Sequence, residues 1–358
     1  EERHLRSQLH SLKDLGFGGV FLICEHFGDA SPDKFLSAWW WNVVDMVARQ
    51  CAETGLDFWV YDDEDWPSGS IGGQLTEAHP EYQWKYLHRE EVLVQGPRHV
   101  RMEVGEGAWF GAVAFQFRNG RVDSASLNDL TPCVENGILT WNAPAGEWTV
   151  GVYAARPGLG IFIDGYGDLM DAQATAAFVS QVYEAHAERV SRIPNARLTG
   201  FFTDEPAFSY AMIPFGDRFT WYPSMPYTPE LESTFEALHG YGPRKYLPLL
   251  YHEGGPEKLR FMCHYWETCR HLYCENYYGQ IYRFCEARGH KATGHLVVEE
   301  KFSNHLGQQA GNIVCHFRYM HVPGMDWIHP FEETFRHLPS TTPKYPTSMA
   351  HLMGRDQT

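Results

Sequence analysis

Hydrophobic positions at the start of the chain alternate between a helical and a strand-like pattern. Leucines at helical spacing open the chain, and an unbroken apolar run follows, which is typical of a parallel strand buried on both faces. The predicted elements are a helix at 1–15, a strand at 20–24, a helix at 34–54 and a strand at 58–61. Alternation at this spacing predicts α/β units with right-handed crossovers.

The pattern then changes to a period of two between 87 and 160, with Gly, Pro and Asn at the turns. Such alternation is typical of antiparallel strands with one buried face. We predict strands at 91–94, 112–115, 137–141 and 148–152. This region is therefore interpreted as a small antiparallel β insert.

Helical and strand-like segments return after the insert. We predict a helix at 172–190, a strand at 198–203, a Pro- and Gly-rich excursion at 207–255, a helix at 259–284 stopped by Gly289, a strand at 291–298 and a short strand at 319–322. With the first two strands, this makes about five parallel strands separated by helices.

The fold class expected from this order is α/β, an incomplete (β/α)8 TIM-type barrel carrying the antiparallel insert. A closed barrel needs eight strands, so about one strand is missing at the front and about two at the back. We expect a first part of a catalytic barrel at 1–86, the β-rich insert at 87–160 and a truncated continuation of the barrel at 161–358. The alternative is an open doubly wound sheet, but no Gly-rich phosphate loop follows the first strand.

Composition narrows the class of partner. The chain has 358 residues and a net charge of −16, which disfavours nucleic acid because phosphate binding needs clustered Lys and Arg. No apolar run approaches the roughly 18 residues of a membrane span, so no membrane partner is expected. Aromatic residues make up 15% of the chain, including 12 Trp, and flat rings with polar edges suit the faces of sugars. We therefore expect a carbohydrate substrate and no organic cofactor.

Barrel enzymes place reactive side chains at the carboxyl ends of strands. Asp62, Asp63 and Glu64 follow the second predicted strand and precede Trp66 and a tight turn. Such a cluster would bind sugar hydroxyls or a hard cation. The alternative is a solvated acidic loop.

Asp204 and Glu205 stand at the end of an apolar strand, next to Phe201 and Phe202. A carboxyl beside phenyl rings is partly desolvated, which raises its pKa, as a general acid at neutral pH requires. In the alternative, Asp204 caps a helix whose dipole attracts Glu205. We expect Asp204 to cap a helix or to position other groups of the site, and Glu205 to be the reacting carboxyl.

Two further strand ends carry candidates. His295, Glu299 and Glu300 follow one predicted strand, and one of the two glutamates can face a barrel centre. Their alternative is a pair of acids opening a helix. Asp326 follows the last predicted strand and could bind substrate hydroxyls or a metal, and its alternative is a plain turn. The Glu-His pair at 25–26, after the first predicted strand, is a weaker candidate of the same kind. Two carboxylates at one barrel mouth are the minimum for glycosidic cleavage.

Several segments, taken in order, resemble the large bacterial α-L-rhamnosidases of glycoside hydrolase family 106 and their uncharacterised relatives. The segments are YDDEDWPSGSIGG at 61–73, WNAPAGEWTV at 141–150, GFFTDEP at 200–206, TGHLVVEE at 293–300 and VPGMD at 322–326. The resemblance spans nearly the whole chain, including the β insert.

This resemblance implies a (β/α)8 catalytic barrel, inverting hydrolysis of α-L-rhamnosides in plant or bacterial polysaccharides, and a calcium ion near the sugar. It implies that Glu205 is the general acid and that Glu299 or Glu300 is the base or a calcium ligand. Family members continue past the segment at 348–351 into another strand ending in a glutamate, whereas this chain stops at Thr358. If that glutamate is the base, the fragment itself would turn over little.

Two other functions stay open from sequence alone. The first is a non-catalytic or truncated carbohydrate-binding relative, suggested by the missing strands. The second is a metal-dependent hydrolase, suggested by 19 His, although the chain contains neither an HxH nor an HExxH pair. The compartment is left open between the bacterial cytoplasm and the periplasm or exterior.

Overall fold

The computed structural model describes residues 2–24, 35–64, 66–104, 108–158, 165–207, 225–296, 312–326 and 343–355. The chain forms two compact units. The first unit comprises Glu1–Gln83, Leu159–Phe208 and Tyr273–Thr358, and the second comprises Trp84–Gly158 and Ser209–Leu272. No helix among the described residues is long and apolar enough to cross a membrane.

The first unit is built on a five-stranded parallel sheet, as the alternating pattern predicts. Numbered along the chain, its strands are β1 (Gly19–Cys24), β2 (Asp57–Glu64), β10 (Leu198–Asp204), β12 (Lys291–His295) and β13 (Val322–Pro323). They lie side by side in this same order, and every neighbouring pair is parallel. A doubly wound sheet reverses its strand order at a switch point, whereas the order among the described strands runs in one direction. This order favours the barrel over the alternative, and closure of a barrel stays a prediction.

Several helices of the first unit agree in place with the predicted helical stripes, whereas the helices at 74–78, 314–317 and 344–352 are not among the elements predicted above. They are α1 (Glu2–Asp14), α2 (Ala38–Thr54), α3 (Gln74–Ala78), α4 (Ala172–Phe178), α5 (Ala185–Ser191), α9 (Gly279–Arg288), Val314–Phe317 and Lys344–Leu352. A π-helical segment, Val179–Glu184, joins α4 to α5, so the predicted helix at 172–190 is continuous but locally widened. Ser37 caps α2, which explains its start at Ala38 rather than 34.

Three strand predictions need correction. β1 is not buried on both faces: Phe21 and Ile23, which point to the same face, are 52% and 39% exposed. β12 ends at His295 instead of reaching residue 298, so Glu299 and Glu300 do not extend it, and both lie outside the described residues. β13 begins at Val322, because a helical turn and bend occupy the residues before it.

The second unit is an antiparallel sheet in the order β11-β3-β9-β4-β7, with β8 beside β9 and a separate β5–β6 pair. The strands are β3 (Lys85–Glu103), β4 (Ala108–Phe115), β5 (Phe117–Arg118), β6 (Arg121–Val122), β7 (Asn128–Asp129), β8 (Val134–Glu135), β9 (Ile138–Pro157) and β11 (Met225–Tyr227). Its helices are α6 (Leu231–His239), α7 (Pro248–Tyr251) and most of α8 (Gly255–Tyr273), which runs through the π-helical Cys274–Tyr278 into α9. Alternate apolar residues of β3, β4 and β9, including Val94, Ala112 and Val150, form its core.

The predicted domain boundaries are consecutive, whereas the second unit also takes in a later segment of the chain. β11 pairs with β3, and the Tyr251 hydroxyl donates to the Leu87 carbonyl at 2.7 Å. Residues 209–272 therefore belong with the β insert rather than with the barrel continuation. The domain boundaries expected from sequence stay a prediction.

Candidate active site

The carboxyl ends of β2, β10 and β12 lie next to one another in the first unit. Phe202 is the register partner of Tyr61, and Asp204 is the register partner of His295. Neighbouring parallel strands end at the same edge of a sheet, so the acidic segments that follow them are brought together.

Asp63, at the end of β2, holds its own loop. It is fully buried, and its carboxylate accepts five backbone hydrogen bonds. The donors are the N–H groups of Glu64 (2.7 Å), Gly69 (2.7 Å), Ser70 (2.8 Å), Ile71 (3.0 Å) and Gly72 (2.8 Å). Burial raises the pKa of Asp63 to about 6, against the opposing effect of these donors. The carboxylate is therefore an anchor for the loop.

Asp62 points to the opposite face of β2 and is also fully buried. It accepts hydrogen bonds from the hydroxyls of Ser68, at 2.5 Å, and Tyr183. Burial raises its pKa to about 7, and both hydrogen bonds oppose the rise. Glu64 is 2% exposed and lies 3.4 Å from the Gln74 amide nitrogen.

These contacts correct the expectation for the acidic cluster. Neither sugar contact nor a solvated loop fits Asp62, Asp63 and Glu64, because all three side chains are buried. We assign Asp62 and Asp63 to support of the site, through the loop that carries Trp66.

Asp204 links three strands at their tips. Its Oδ2 accepts from the Tyr61 hydroxyl at 2.8 Å, and its Oδ1 lies 2.9 Å from His295 Nε2. Burial and the Asp204 charge raise the pKa of Tyr61 far above its usual range, so the phenol remains a donor. No helix follows Asp204 in the described residues 205–207, so the positioning role is the one the contacts favour over the helix cap.

Glu205 occupies a left-handed backbone conformation, with φ at 44°. Burial raises its pKa to about 7, which agrees with the desolvation expected beside an apolar strand. The His295 charge and a hydrogen bond from the Trp66 indole lower it, whereas the charges of Asp204 and Asp326 raise it. A carboxyl with these properties is partly protonated at neutral pH and is suited to proton transfer.

Glu205, His295 and Asp326 bring possible ligand atoms within 4.8 Å of one another. Calcium prefers six to eight oxygen ligands, and an imidazole nitrogen is foreign to that set. His295 Nε2 is moreover engaged by Asp204, and Glu205 by Trp66. This cluster does not fit calcium. The calcium ligands expected from sequence, Glu299 and Glu300, lie outside the described residues, so calcium stays a prediction.

The strand tips therefore gather five of the candidates named from sequence, namely Trp66, Asp204, Glu205, His295 and Asp326. Glu299, Glu300 and the pair at 25–26 lie outside the described residues.

Comparisons with known proteins point to one broad class. No family model matches the chain. A protein of Formosa agariphila named "Putative beta-glucuronidase" is 20% identical over 404 residues, covering 98% of this chain and 32% of that protein. The solved rhamnosidase from Novosphingobium sp. PP1Y superposes with a TM-score of 0.73 at 13% identity, covering 99% of this chain and 50% of the other.

The chain thus spans a third of the curated relative and half of the solved one. Both matches extend over nearly the whole chain and carry glycosidase names. The chain is similar in fold to the solved rhamnosidase and, at 20% identity, in sequence to the protein named a putative beta-glucuronidase.

Several residues that complete the site were not singled out from sequence. Tyr61 stands within the quoted motif, and its period-two relation to Trp59 and Asp63 indicates a shared strand face. Ser68 is in the same motif but carries no pattern of its own. The Tyr166 hydroxyl accepts from the Ala207 N–H and the Tyr273 hydroxyl donates to the Pro206 carbonyl, contacts that only the tertiary fold creates, so no local signal marks them.

Proposed function

We propose that this chain is the catalytic part of a glycoside hydrolase that cleaves α-L-rhamnosides with inversion. The observation that carries the proposal is Glu205, a carboxyl at the tip of β10 whose burial raises its pKa to about 7. Its neighbours Trp66, His295 and Asp326 come from three other segments of the first unit. The likeness in fold to a rhamnosidase supports the class of substrate.

Glu205 acts as the general acid in this proposal. Its protonated carboxyl donates to the glycosidic oxygen as the bond to the anomeric carbon breaks, and the proton remains available up to about pH 7. The Trp66 indole orients the carboxyl through its hydrogen bond. Asp204 lies 2.9 Å from His295 Nε2 and holds the ring where its charge acts on the Glu205 carboxyl.

An inverting mechanism also needs a base, with the two carboxyls about 6.5–9.5 Å apart to admit a water molecule. Ligand atoms of Asp326 and Glu205 lie within 4.8 Å of each other, and the Asp326 charge raises the pKa of Glu205. We therefore keep Glu299 or Glu300 as the proposed base and give Asp326 an electrostatic and substrate-binding role.

A neutral sugar suits the described site better than a uronic acid. The charged groups with the largest effects on the pKa of Glu205 are His295, Asp204 and Asp326, of which two are carboxylates. A uronate carboxylate requires cationic or N–H donors and would be repelled by two neighbouring aspartates. This argument favours a rhamnoside over a glucuronide.

The test compares aryl α-L-rhamnosides with aryl β-D-glucuronides and follows the first-formed anomer by proton NMR. We expect turnover of the rhamnoside with inversion. Glu205→Gln should lower turnover of a substrate with a poor leaving group by about 10²–10⁴-fold. Glu188→Gln, a substitution at an exposed glutamate of α5, is the matched control. Undiminished activity in Glu205→Gln would remove Glu205 from this role, and sugar binding without turnover would favour a carbohydrate-binding protein.

A further inference from the structure

Glu205 combines two unfavourable backbone features. Its φ of 44° lies in the left-handed region that side chains other than glycine rarely adopt. Pro206 follows it, and a residue before proline is sterically biased towards extended backbone. Such a conformation persists only where the surroundings impose it, and residues of this kind are concentrated at functional sites.

Ser68 fixes the backbone immediately before Glu205. Its N–H donates to the Asp204 carbonyl at 2.8 Å, and its Oγ accepts the Asp204 N–H at 2.8 Å. The same hydroxyl donates to Asp62 at 2.5 Å, which fixes its orientation. Ser68 is fully buried, so water does not compete for these bonds.

Two tyrosine hydroxyls fix the backbone after Glu205. Tyr273 donates to the Pro206 carbonyl. Tyr166 accepts the Ala207 N–H at 3.4 Å and donates to the Ser68 carbonyl, so it joins both sides of the turn. Both tyrosines are buried.

We infer that Ser68, Tyr166 and Tyr273 form a clamp that holds Glu205 in its left-handed turn and keeps its carboxyl against Trp66. All three are positioning residues, because their buried hydroxyls contact backbone groups, Asp62 and, for Tyr273, also the Tyr278 hydroxyl at 3.2 Å. The inference rests on the proposed role of Glu205 as the acid, but the conformation itself can be tested separately.

The second unit supplies a matched control. Tyr265 is fully buried and donates from its hydroxyl to the Pro226 carbonyl at 2.7 Å, which is the same interaction that Tyr273 makes with Pro206. Tyr273→Phe and Tyr265→Phe therefore each delete a buried hydroxyl that donates to a proline carbonyl, and Tyr273→Phe also removes the 3.2 Å contact of that hydroxyl with Tyr278. Only the first deletion touches the turn of Glu205.

Kinetics give the first readout. Misplacing a reacting group by about 1 Å can cost roughly 100-fold in rate. We expect Tyr273→Phe and Ser68→Ala to lower kcat by roughly 10–100-fold with little change in KM, and Tyr265→Phe to leave both unchanged. Equal effects of Tyr273→Phe and Tyr265→Phe on kcat would overturn the clamp.

A second readout needs no turnover. The protein is labelled with 5-fluorotryptophan, and the Trp66 signal among its 12 Trp is assigned in the 19F spectrum with Trp66→Phe. We expect this signal to titrate near pH 7 in the unsubstituted protein and to lose the transition in Glu205→Gln. Tyr273→Phe should lower the midpoint by about one pH unit, because a loosened turn lets water reach the carboxyl.

The outcomes separate the two proposals. If no glycoside is turned over but the midpoint falls in Tyr273→Phe and not in Tyr265→Phe, the proposed reaction fails and the clamp stands. If glycosides are turned over but the midpoint is unchanged in Tyr273→Phe, the clamp fails and the reaction stands. Thermal melts identify any variant that does not fold. If Ser68→Ala does not fold, the test of the clamp depends on Tyr273→Phe alone.

Discussion

The tips of β2 and β10 carry the same sequence signal and do different work. Each is an apolar strand that ends in consecutive carboxylates. After β2 the chain turns back and directs four N–H groups at Asp63, in addition to that of Glu64. After β10 the chain continues through Pro206, which has no N–H to donate. A strand-end carboxylate can therefore act on a ligand only where the N–H groups of its own loop do not occupy its oxygens.

A raised pKa does not separate the two tips. Burial raises the pKa of Asp62 and of Glu205 alike to about 7. Asp62 is enclosed by hydroxyls and has no exposed surface, whereas Glu205 lies in a cluster with His295 and Asp326. Perturbed carboxyls thus mark both a structural anchor and a candidate acid, and their partners tell the two apart.

The largest effect should come from the anchor at β2. Asp63→Asn replaces one carboxylate oxygen by an NH2 group that faces N–H donors in a fully buried site. Leaving several buried donors unsatisfied should cost about 3 kcal/mol or more in the free energy of unfolding, measured in urea.

Asp171→Asn is the control for this anchor, because Asp171 also accepts two backbone N–H groups, at the start of α4. Asparagine is an equally good helix cap, so little change is expected there. An Asp63→Asn protein of unchanged stability but weakened sugar binding would show that the two tips act alike.

Asp62 should affect the pH dependence of the free energy of unfolding. Because its folded pKa is raised to about 7, the folded state binds a proton that the unfolded chain releases near pH 4. Stability contributed by this proton is full below about pH 4 and is lost as pH rises to about 7, with a slope of at most about 1.4 kcal/mol per pH unit.

Asp62→Asn should flatten this part of the stability–pH curve, measured by urea unfolding between pH 5 and 8. Glu188→Gln, which changes an exposed carboxyl, should leave the curve as it is. A curve that keeps its full slope in Asp62→Asn would assign the titration to another group.

The sequence predicts the sheet and the position of the site better than it predicts the role of each residue in the site. The α/β alternation and the positions of the strands along the chain follow from local hydrophobic period, which is a short-range property. The place of Glu205 at a strand tip follows from the same pattern. The end of β12 was misplaced, because the apolar run continues past His295 although the strand pairing does not.

Roles depend on contacts that no local pattern contains. Asp63 and Glu205 look alike in sequence, and only the returning loop distinguishes them. Ser68 and Tyr273 are separated by about two hundred residues, yet they hold the two sides of one turn. Such long-range hydrogen bonds leave no trace in hydrophobic period, so the support of the site could not be predicted.

The smallest effect should be a shift in the pH dependence of catalysis. A general acid must be protonated, so kcat/KM for a rhamnoside should fall as pH rises through about 7. Asp326 is a like charge that helps Glu205 to keep its proton. Asp326→Asn should lower the pKa of Glu205 and move the alkaline limb of the profile down by about half a pH unit.

Asp45→Asn provides the comparison, since Asp45 is engaged by Arg189 at 2.7 Å on α2 and does not act on Glu205. That variant should retain the unsubstituted profile. If Asp326→Asn moves the alkaline limb upwards, Asp326 stabilises the ionised form of Glu205 instead. If the limb stays in place while KM rises, Asp326 binds the substrate and does not affect the pKa of Glu205. The raised pKa of Glu205 is then due to Asp204 and to burial.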